Sequence, residues 1–419
     1  MPRTPIVAIV DAYSTSRMLA PLFAERGYDC IHVQSTEEIP APAAHSFLAE
    51  NFVANIIHRG DDAATIAAIA AYEPVAVIPG MEMGVEFADL VSETLRLRTN
   101  GTALSTARRN KFEMIEAIRA AGLPATEQIQ TDDWDALAAW HAGLGGRRVV
   151  IKPKTSLGND GVFFCDDLDE VRGAYEALRD GADILGVPHS GLVAQEYIVG
   201  GEFCINTVSL DGVHHVCDIW RYEHLNVNGV RDLLGAFHLL PACDPESIRL
   251  AEYTFMVLDA LGIKNGPAHT ELRLTKDGPR LIETGARVAG ADLPILTTTA
   301  IGDGHLEWTV DATVDPERFK TRCYDEYEIV KHAVSTLMIS PKAGKLVSYP
   351  LMEQVEALES FHRARVFAKP GGRVPMTIND WTVPVIIQLA HEVRGSVQRD
   401  YATVRYLDGP SFYQLEEES

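Results

Sequence analysis

The sequence predicts a multidomain chain of mixed class, α/β on a doubly wound parallel sheet at its N-terminus and α+β thereafter. Three observations carry this. At 419 residues the chain exceeds what one hydrophobic core usually organises, so two to four sub-domains are expected. Its first hundred residues alternate strand-like apolar runs with helical periodicity, the pattern of parallel strands joined by crossover helices. From Arg147 onward strand-like runs dominate. Hydrophobic residues at 46% and charged residues at 23% suit a globular chain rather than a disordered or fibrous one.

The elements follow in order. PIVAIV (Pro5–Val10) is a short apolar strand, and SRMLAPLFAERGY places Met18, Leu19, Leu22 and Phe23 at helical spacing before the stop signal Gly27. Strands follow at DCIHV, FVANII and PVAVIPG, separated by an Ala-rich helix from Asp62 to Ala71 and succeeded by a helix over GVEFADLVSETL. RRNKFEMIEAIRAAGLP is a helix with Phe112, Ile115 and Ile118 on one stripe, and Lys111 in its first turn opposes the helix dipole. Strands are expected at RRVVIKPK, LVAQEYIVG, EFCINTVSL and VHHVCDIW, then a hairpin within the stretch Gly266–Gly290. Towards the C-terminus HLEWTVDATV reads as helix, EIVKHAVSTLMIS as strand, and Pro384–Val404 as strand passing into helix.

The 37 basic and 59 acidic residues give a formal charge of −22, which repels nucleic acid and anionic lipid, so neither is an expected partner. Small anions remain open, because a local cluster of Lys, Arg and backbone N–H outweighs charge screened beyond roughly 8 to 10 Å. The six cysteines are scattered without Cys-x-x-Cys spacing and are expected to be reduced and mostly buried. The first apolar run stops at Asp11, and no stretch approaches the ~20 apolar residues of a membrane helix. A cytoplasmic protein is expected.

Three stretches carry chemistry. In VVIKPKTSLGNDGVFFC, Val149 and Ile151 share one strand face, so Lys152 projects from the other. The small polar loop from Thr155 to Gly161, containing Ser156 and Gly158, can fold backbone N–H groups over phosphate, although a plain hairpin turn is an alternative. In AQEYIVGGEF, a strand ending at Gly200-Gly201 can offer backbone to an adenine edge, and the Glu202 carboxylate can accept from ribose hydroxyls. An ordinary hairpin explains that stretch equally well. In HTELRLTKDGPRLIETGAR, a three-residue turn over Lys276, Asp277 and Gly278 sets Glu271 directly opposite Glu283, with Cβ atoms ~4.5 to 5.5 Å apart. A two-residue Asp277-Gly278 turn would put them on opposite faces. Facing carboxylates destabilise a hairpin unless a cation sits between them, and hard divalent ions take oxygen ligands.

Together, in this order and spacing, these stretches resemble the ATP-grasp superfamily, and within it the L-amino acid ligases that form dipeptides. The resemblance spans about Asn110 to Gly290, and the preceding α/β domain also fits. It implies an ATP-grasp fold with nucleotide bound between two α+β sub-domains. The expected divisions are 1–105 for the N-terminal domain, 106–190 for the glycine-loop sub-domain, 191–310 for the hairpin sub-domain and 311–419 for a C-terminal α+β part. By resemblance, Lys111 and Lys152 hold the nucleotide phosphates, and the loop bearing Ser156, Gly158 and Gly161 closes over them. Gln195, Glu196, Tyr197 and Ile198 contact adenine, Glu202 binds ribose, Glu271 and Glu283 ligate Mg2+ (or Mn2+), and Arg287 steadies the transferred phosphate and the tetrahedral intermediate.

Many members carry Asn two residues after the second acid, where this chain has Gly285; Gly-Ala-Arg at this point is common among amino acid ligases. The implied activity is ATP-dependent ligation of two amino acids, with another ATP-grasp ligase or carboxylase (purine, biotin or D-alanine type) and a non-catalytic ATP-binding protein as alternatives. His269 shares the parity of Glu271, but no base for the amine is assigned. The stretch Asp218–Leu239, with Trp220, Arg221, Tyr222 and Arg231, is rich in groups suited to a carboxylate or to inter-domain packing. A homodimer is the commonest assembly for such an enzyme.

Overall fold

The computed structural model describes residues 3–155, 160–179, 181–182 and 191–416. Strands β1 (Ile6–Val10), β2 (Asp29–Gln34), β3 (Ala54–Ile57) and β4 (Ala76–Pro79) form a parallel sheet in the order β3-β2-β1-β4. Alternation along β1 feeds two cores. Val7 and Ile9 pack with Leu19 and Phe23 of the helix Leu19–Glu25, whereas Ile6, Ala8 and Val10 pack with Ile69, Ala88 and Val91 of the helices Asp62–Ala70 and Val85–Thr94. The sheet is thus covered on both faces, as expected of a doubly wound domain. Strand order reverses between β1 and β4, and carboxyl ends at such a switch point open a crevice.

Strands β5 (Gln128–Thr131), β6 (Val149–Pro153), β7 (Phe163–Cys165) and β8 (Leu192–Glu196) form an antiparallel sheet in the order β5-β8-β6-β7. The helices Trp134–Gly143 and Leu168–Arg179 bury Leu137, Val171 and Leu178 against Val149, Ile151 and Ala194. Because Val149 and Ile151 point into that core, Val150 and Lys152 point away from it, as parity requires. The sheet's last strand lies beyond residue 190. Of the glycine loop, Ser156 and Gly158 lie outside the described residues, while Gly161 follows with φ +69°.

The largest sheet is antiparallel. It comprises β9 (Gly201–Leu210), β10 (Val213–Val227), β11 (Val230–Leu239), β12 (Gly266–Thr275), β13 (Gly278–Gly285) and β14 (His332–Leu337), and further strands near the C-terminus. The C-terminal strands are β15 (Gly344–Ser348), β16 (Phe361–Val366), β17 (Arg373–Val374), β18 (Val385–His391) and β19 (Gln414–Leu415), of which β16 and β18 belong to this sheet. The order β13-β12-β9-β10-β11-β14-β18-β16 makes the C-terminal part extend the hairpin's own sheet, while β17-β15-β19 form a small separate one.

The helices Lys111–Ala120 and Pro245–Ala260 pack Ile115, Ile118, Leu250 and Val257 against Ile205, Ala268 and Leu281 of this sheet. The second helix is absent from the sequence expectation, although Leu250, Tyr253, Val257 and Leu258 recur at helical spacing between Pro245 and Gly262. All six cysteines are free thiols, five buried and Cys243 exposed. Among the described residues, no helix is long and apolar enough to cross a membrane.

Backbone approach is close at the switch point, where a Cβ on Gly80 would lie 2.5 Å from the carbonyl oxygen of Asp11. Backbone cannot yield there as a side-chain tip can. Gly80→Ala is expected to cost about 1–3 kcal/mol of stability, read as a lower denaturation midpoint; an unchanged midpoint would show that the crevice is looser than described.

Candidate active site

A cavity of about 550 Å³ lies where the four-stranded sheet, the eight-stranded sheet and the switch point of the parallel sheet meet. The β12–β13 hairpin brings Glu271 directly opposite Glu283. It does so by another route than the expected three-residue turn. Thr275 pairs with Gly278, leaving a two-residue Lys276-Asp277 turn, and a β-bulge between Glu271 and Leu272 takes up Ile282 as an extra residue. The bulge restores the face that the shorter turn would have lost.

Both lysines act on these acids, Lys111 by direct contact and Lys152 through its charge. Lys111 opens its helix behind the N-cap Asn110, whose side chain accepts from the N–H groups of Phe112 and Glu113. Its own N–H donates to Lys154 O at 2.9 Å, tying the helix start to the end of β6. The Lys111 Nζ lies 2.9 Å from Glu283 Oε2. Burial works to raise Glu283, but Lys111 and Lys152 outweigh it and hold the carboxyl at about 2. Lys152 is buried, and desolvation together with neighbouring Lys111 lowers it to about 8.

Glu271 Oε1 accepts from Tyr222 Oη at 2.9 Å and faces His269 Nε2 at 3.3 Å. Asn206 donates its amide to Asp218 at 2.5 Å, so its oxygen is turned to His269 Nδ1 at 2.7 Å and fixes that nitrogen as the donor. Asp218 is fully enclosed, and burial pushes it up to about 7. His269 is therefore the histidine that the fold places beside the acids. His214 pairs with Ser209 and Asp259, and His215 stacks on Trp308.

At the end of β8 and just beyond it, Gln195, Glu196, Tyr197 and Ile198 all line the cavity. Gln195 donates to Gln128 at 2.9 Å, and the Glu196 carboxylate takes the Glu127 N–H at 3.2 Å. Glu202 is clamped by Arg273, with Nη2 2.8 Å from Oε2. Burial nevertheless pushes Glu202 up to about 7. Arg273 also donates to Ile198 O at 3.0 Å and stacks over the Tyr197 ring, so one guanidinium orients the whole strand end.

Arg287 donates through Nε to Glu82 Oε2 at 2.9 Å and through Nη1 to Val288 O at 3.1 Å. Glu82 also meets Arg109 at 3.2 Å. Sequence reading missed Glu82, which reaches the hairpin from the loop after β4. Its presence accounts for Gly285, since a Cβ there would lie 2.6 Å from Glu82 Oε2; the carboxylate fills the space that any side chain would need. Of the Asp218–Leu239 stretch, Tyr222 joins the site, whereas Trp220 is buried on Asp218 and Arg231 clamps Asp166 and Glu170 of the four-stranded unit.

Residues 146–295 match the family model for an ATP-grasp domain. Dapdiamide A synthase of Enterobacter agglomerans is 33% identical over 98% of this chain and 97% of its own length. The chain belongs to the ATP-grasp family. An L-arginine-specific L-amino acid ligase of Bacillus subtilis is 25% identical to this ATP-grasp chain over 44% of each. The crystal structure of an L-amino acid ligase from Bacillus licheniformis superposes with a TM-score of 0.76 at 18% identity, covering 100% of both chains. With these relatives, this ATP-grasp protein is an ATP-dependent carboxylate–amine ligase, an enzyme that forms amide bonds.

Gly285→Ala is expected to push the Glu82 carboxylate off Arg287 and yet leave Tm near the wild-type value, because a side-chain tip moves aside cheaply; a Tm lowered as far as that of Gly80→Ala would mean that the carboxylate is held rigidly.

Proposed function

We propose that the protein joins two amino acids into a dipeptide, activating the carboxylate of one with ATP and condensing it with the amine of the other. The observation that carries this is the pair Glu271 and Glu283, facing each other across one hairpin with Lys111 and Lys152 above them in a single cavity. The name of the L-arginine-specific L-amino acid ligase supports the choice of amino acids as substrates.

In this scheme Lys111 and Lys152 hold the nucleotide phosphates, Glu196 and Ile198 present backbone to adenine, and Glu202, steadied by Arg273, takes the ribose hydroxyls. A carboxylate oxygen of the first amino acid attacks the γ-phosphorus, the bond to ADP breaks, and an acyl phosphate results. The amine of the second attacks the acyl carbon, phosphate leaves, and the amine gives up a proton. Arg287, oriented by Glu82, donates to the oxyanion formed in that attack. Ser156, Gly158 and Gly161 belong to the loop that would keep water from the acyl phosphate.

Two facing carboxylates suit Mg2+ (or Mn2+), which characteristically takes one or two carboxylates and completes its shell with phosphate oxygens and water. Among the described residues, no group of three His, Cys, Asp or Glu side chains is arranged to cage an ion, so Glu271 and Glu283 would hold one that arrives with nucleotide. When bound it would neutralise charge on the transferring phosphoryl group.

A phosphate-release screen of the twenty amino acids in pairs should find at least one productive pair with the dipeptide as product. Glu283→Gln should lower that rate at least ~100-fold while circular dichroism stays native; phosphate release without peptide, or a fully active variant, would overturn the assignment.

Lys152 adds a pH signature. Its depressed value means that the unfolded chain binds more protons between about 8 and 10.5, so its charged burial is a penalty below about 8 that is relieved as pH rises. Phosphates favour the charged form, so nucleotide binding at pH 9 should take up protons. Calorimetry in buffers of differing ionisation enthalpy should register this uptake, and Lys152→Met should abolish it; uptake that persists in the variant would place the proton elsewhere.

A further inference from the structure

At the cavity's C-terminal wall sits a cluster that the nucleotide chemistry does not use. Asp292 is buried and is met by three guanidinium groups. Arg17 is bidentate at 2.9 and 3.1 Å, Arg365 lies at 3.2 Å and Arg363 at 3.3 Å. One carboxylate neutralises one of these cations, which leaves the cluster with surplus positive charge. Desolvation lowers the proton affinity of Arg365, and Arg17 and Arg363 lower it further against the pull of Asp292.

The cluster is built with some care. Ala291 and Asp292 are consecutive non-glycine residues at φ +57° and +55°, a conformation that persists only where the surroundings fix it. The Asp292 N–H donates to Thr15 Oγ1 at 3.2 Å, and its carbonyl accepts from Gln388 at 3.4 Å. N-terminal domain, hairpin exit and C-terminal strands therefore converge on one acid. Of the three arginines, Arg365 lines the cavity.

Its place in the cavity is set by the sheet. Arg365 stands on β16, the edge opposite the hairpin, six strand spacings from β12, or roughly 29 Å along a flat sheet. The sheet curls enough for both ends to line one cavity, and only four residues lie between Arg287 and Asp292, at most ~18 Å of chain. Arg287 and Arg365 line the same cavity, so a molecule condensed near Arg287 shares its space with the Arg365 guanidinium.

We propose that Arg365 binds the carboxylate of the amine-bearing substrate, the one that is not activated, and so holds it away from the phosphate-transfer centre. Resting on the dipeptide scheme above, it explains how an enzyme offered two carboxylates would activate one. Asp292, Arg17 and Arg363 are positioning residues that keep the Arg365 guanidinium in place while leaving donors for the ligand.

The test uses the full-length protein with the twenty amino acids and their carboxamides as acceptors. Wild type should prefer an acceptor carboxylate to its carboxamide by about 30-fold in kcat/KM, the loss expected for one charge-assisted hydrogen-bonded contact. Arg365→Gln should raise the acceptor KM by about 30-fold, change the KM for ATP less than about 3-fold, and erase the preference, with Arg365→Lys restoring part of it. Equal use of carboxylate and carboxamide by wild type overturns the proposal without needing any variant. So does a variant in which all KM values rise together with a fall in Tm, the mark of a structural clamp. If wild type releases no phosphate with any pair, the dipeptide scheme itself has failed; if it does and Arg365→Gln keeps the preference, only the Arg365 assignment has.

Discussion

Two negative charges held face to face on neighbouring strands are the constraint on which the rest of the site depends. In isolation the pair Glu271 and Glu283 would weaken the hairpin that carries it. Lys111 offsets this at 2.9 Å from Glu283, and Lys152 contributes from β6. The two lysines are themselves like charges, and desolvation and their mutual repulsion hold Lys152 at about 8. Four residues from three segments of the chain therefore form a cluster in which each ion is tolerable only because of the others. Removing one partner of such a set costs more than the set itself contributes. The helix start at Asn110, the ladder of β6 and the hairpin register all serve to keep the four together.

The same economy of charge recurs around them. Arg273 is divided between Glu202 and the Ile198 carbonyl, and Glu82 between Arg287 and Arg109. In each case one side chain ties its own unit to a neighbouring one. The cavity thus draws its shape from ion pairs between units as much as from the packed cores beneath them, and the ligase chemistry proposed here needs such fixed dipoles rather than mobile solvent.

Much of this was legible from local pattern. Strand parity put Lys152 on the free face of β6, because Val149 and Ile151 had to be buried, and the alternation of the first hundred residues gave the doubly wound domain. What escaped was set by long-range contact. Nothing near Glu82 marks it as a partner for Arg287, some two hundred residues away, and Arg365 and Asp292 meet only once the C-terminal strands have joined the sheet of the hairpin. The helix Pro245–Ala260 is different. Its periodicity, N-terminal proline and following glycine were all present, and the strand-rich surroundings obscured them. The turn at Lys276-Asp277 shows how a correct register can be reached through a wrong intermediate, since loop length and bulge each shift the ladder by one residue.

That equivalence has a consequence for how this hairpin can change. Turn length and the extra residue at Ile282 are interchangeable currencies of register, so a longer tip and a vanished bulge would cancel, whereas either alteration by itself would turn one acid to the far side of the ribbon. Sequence drift at the tip should therefore be coupled to drift at the bulge, two sites that never touch substrate and yet decide together whether the acids meet.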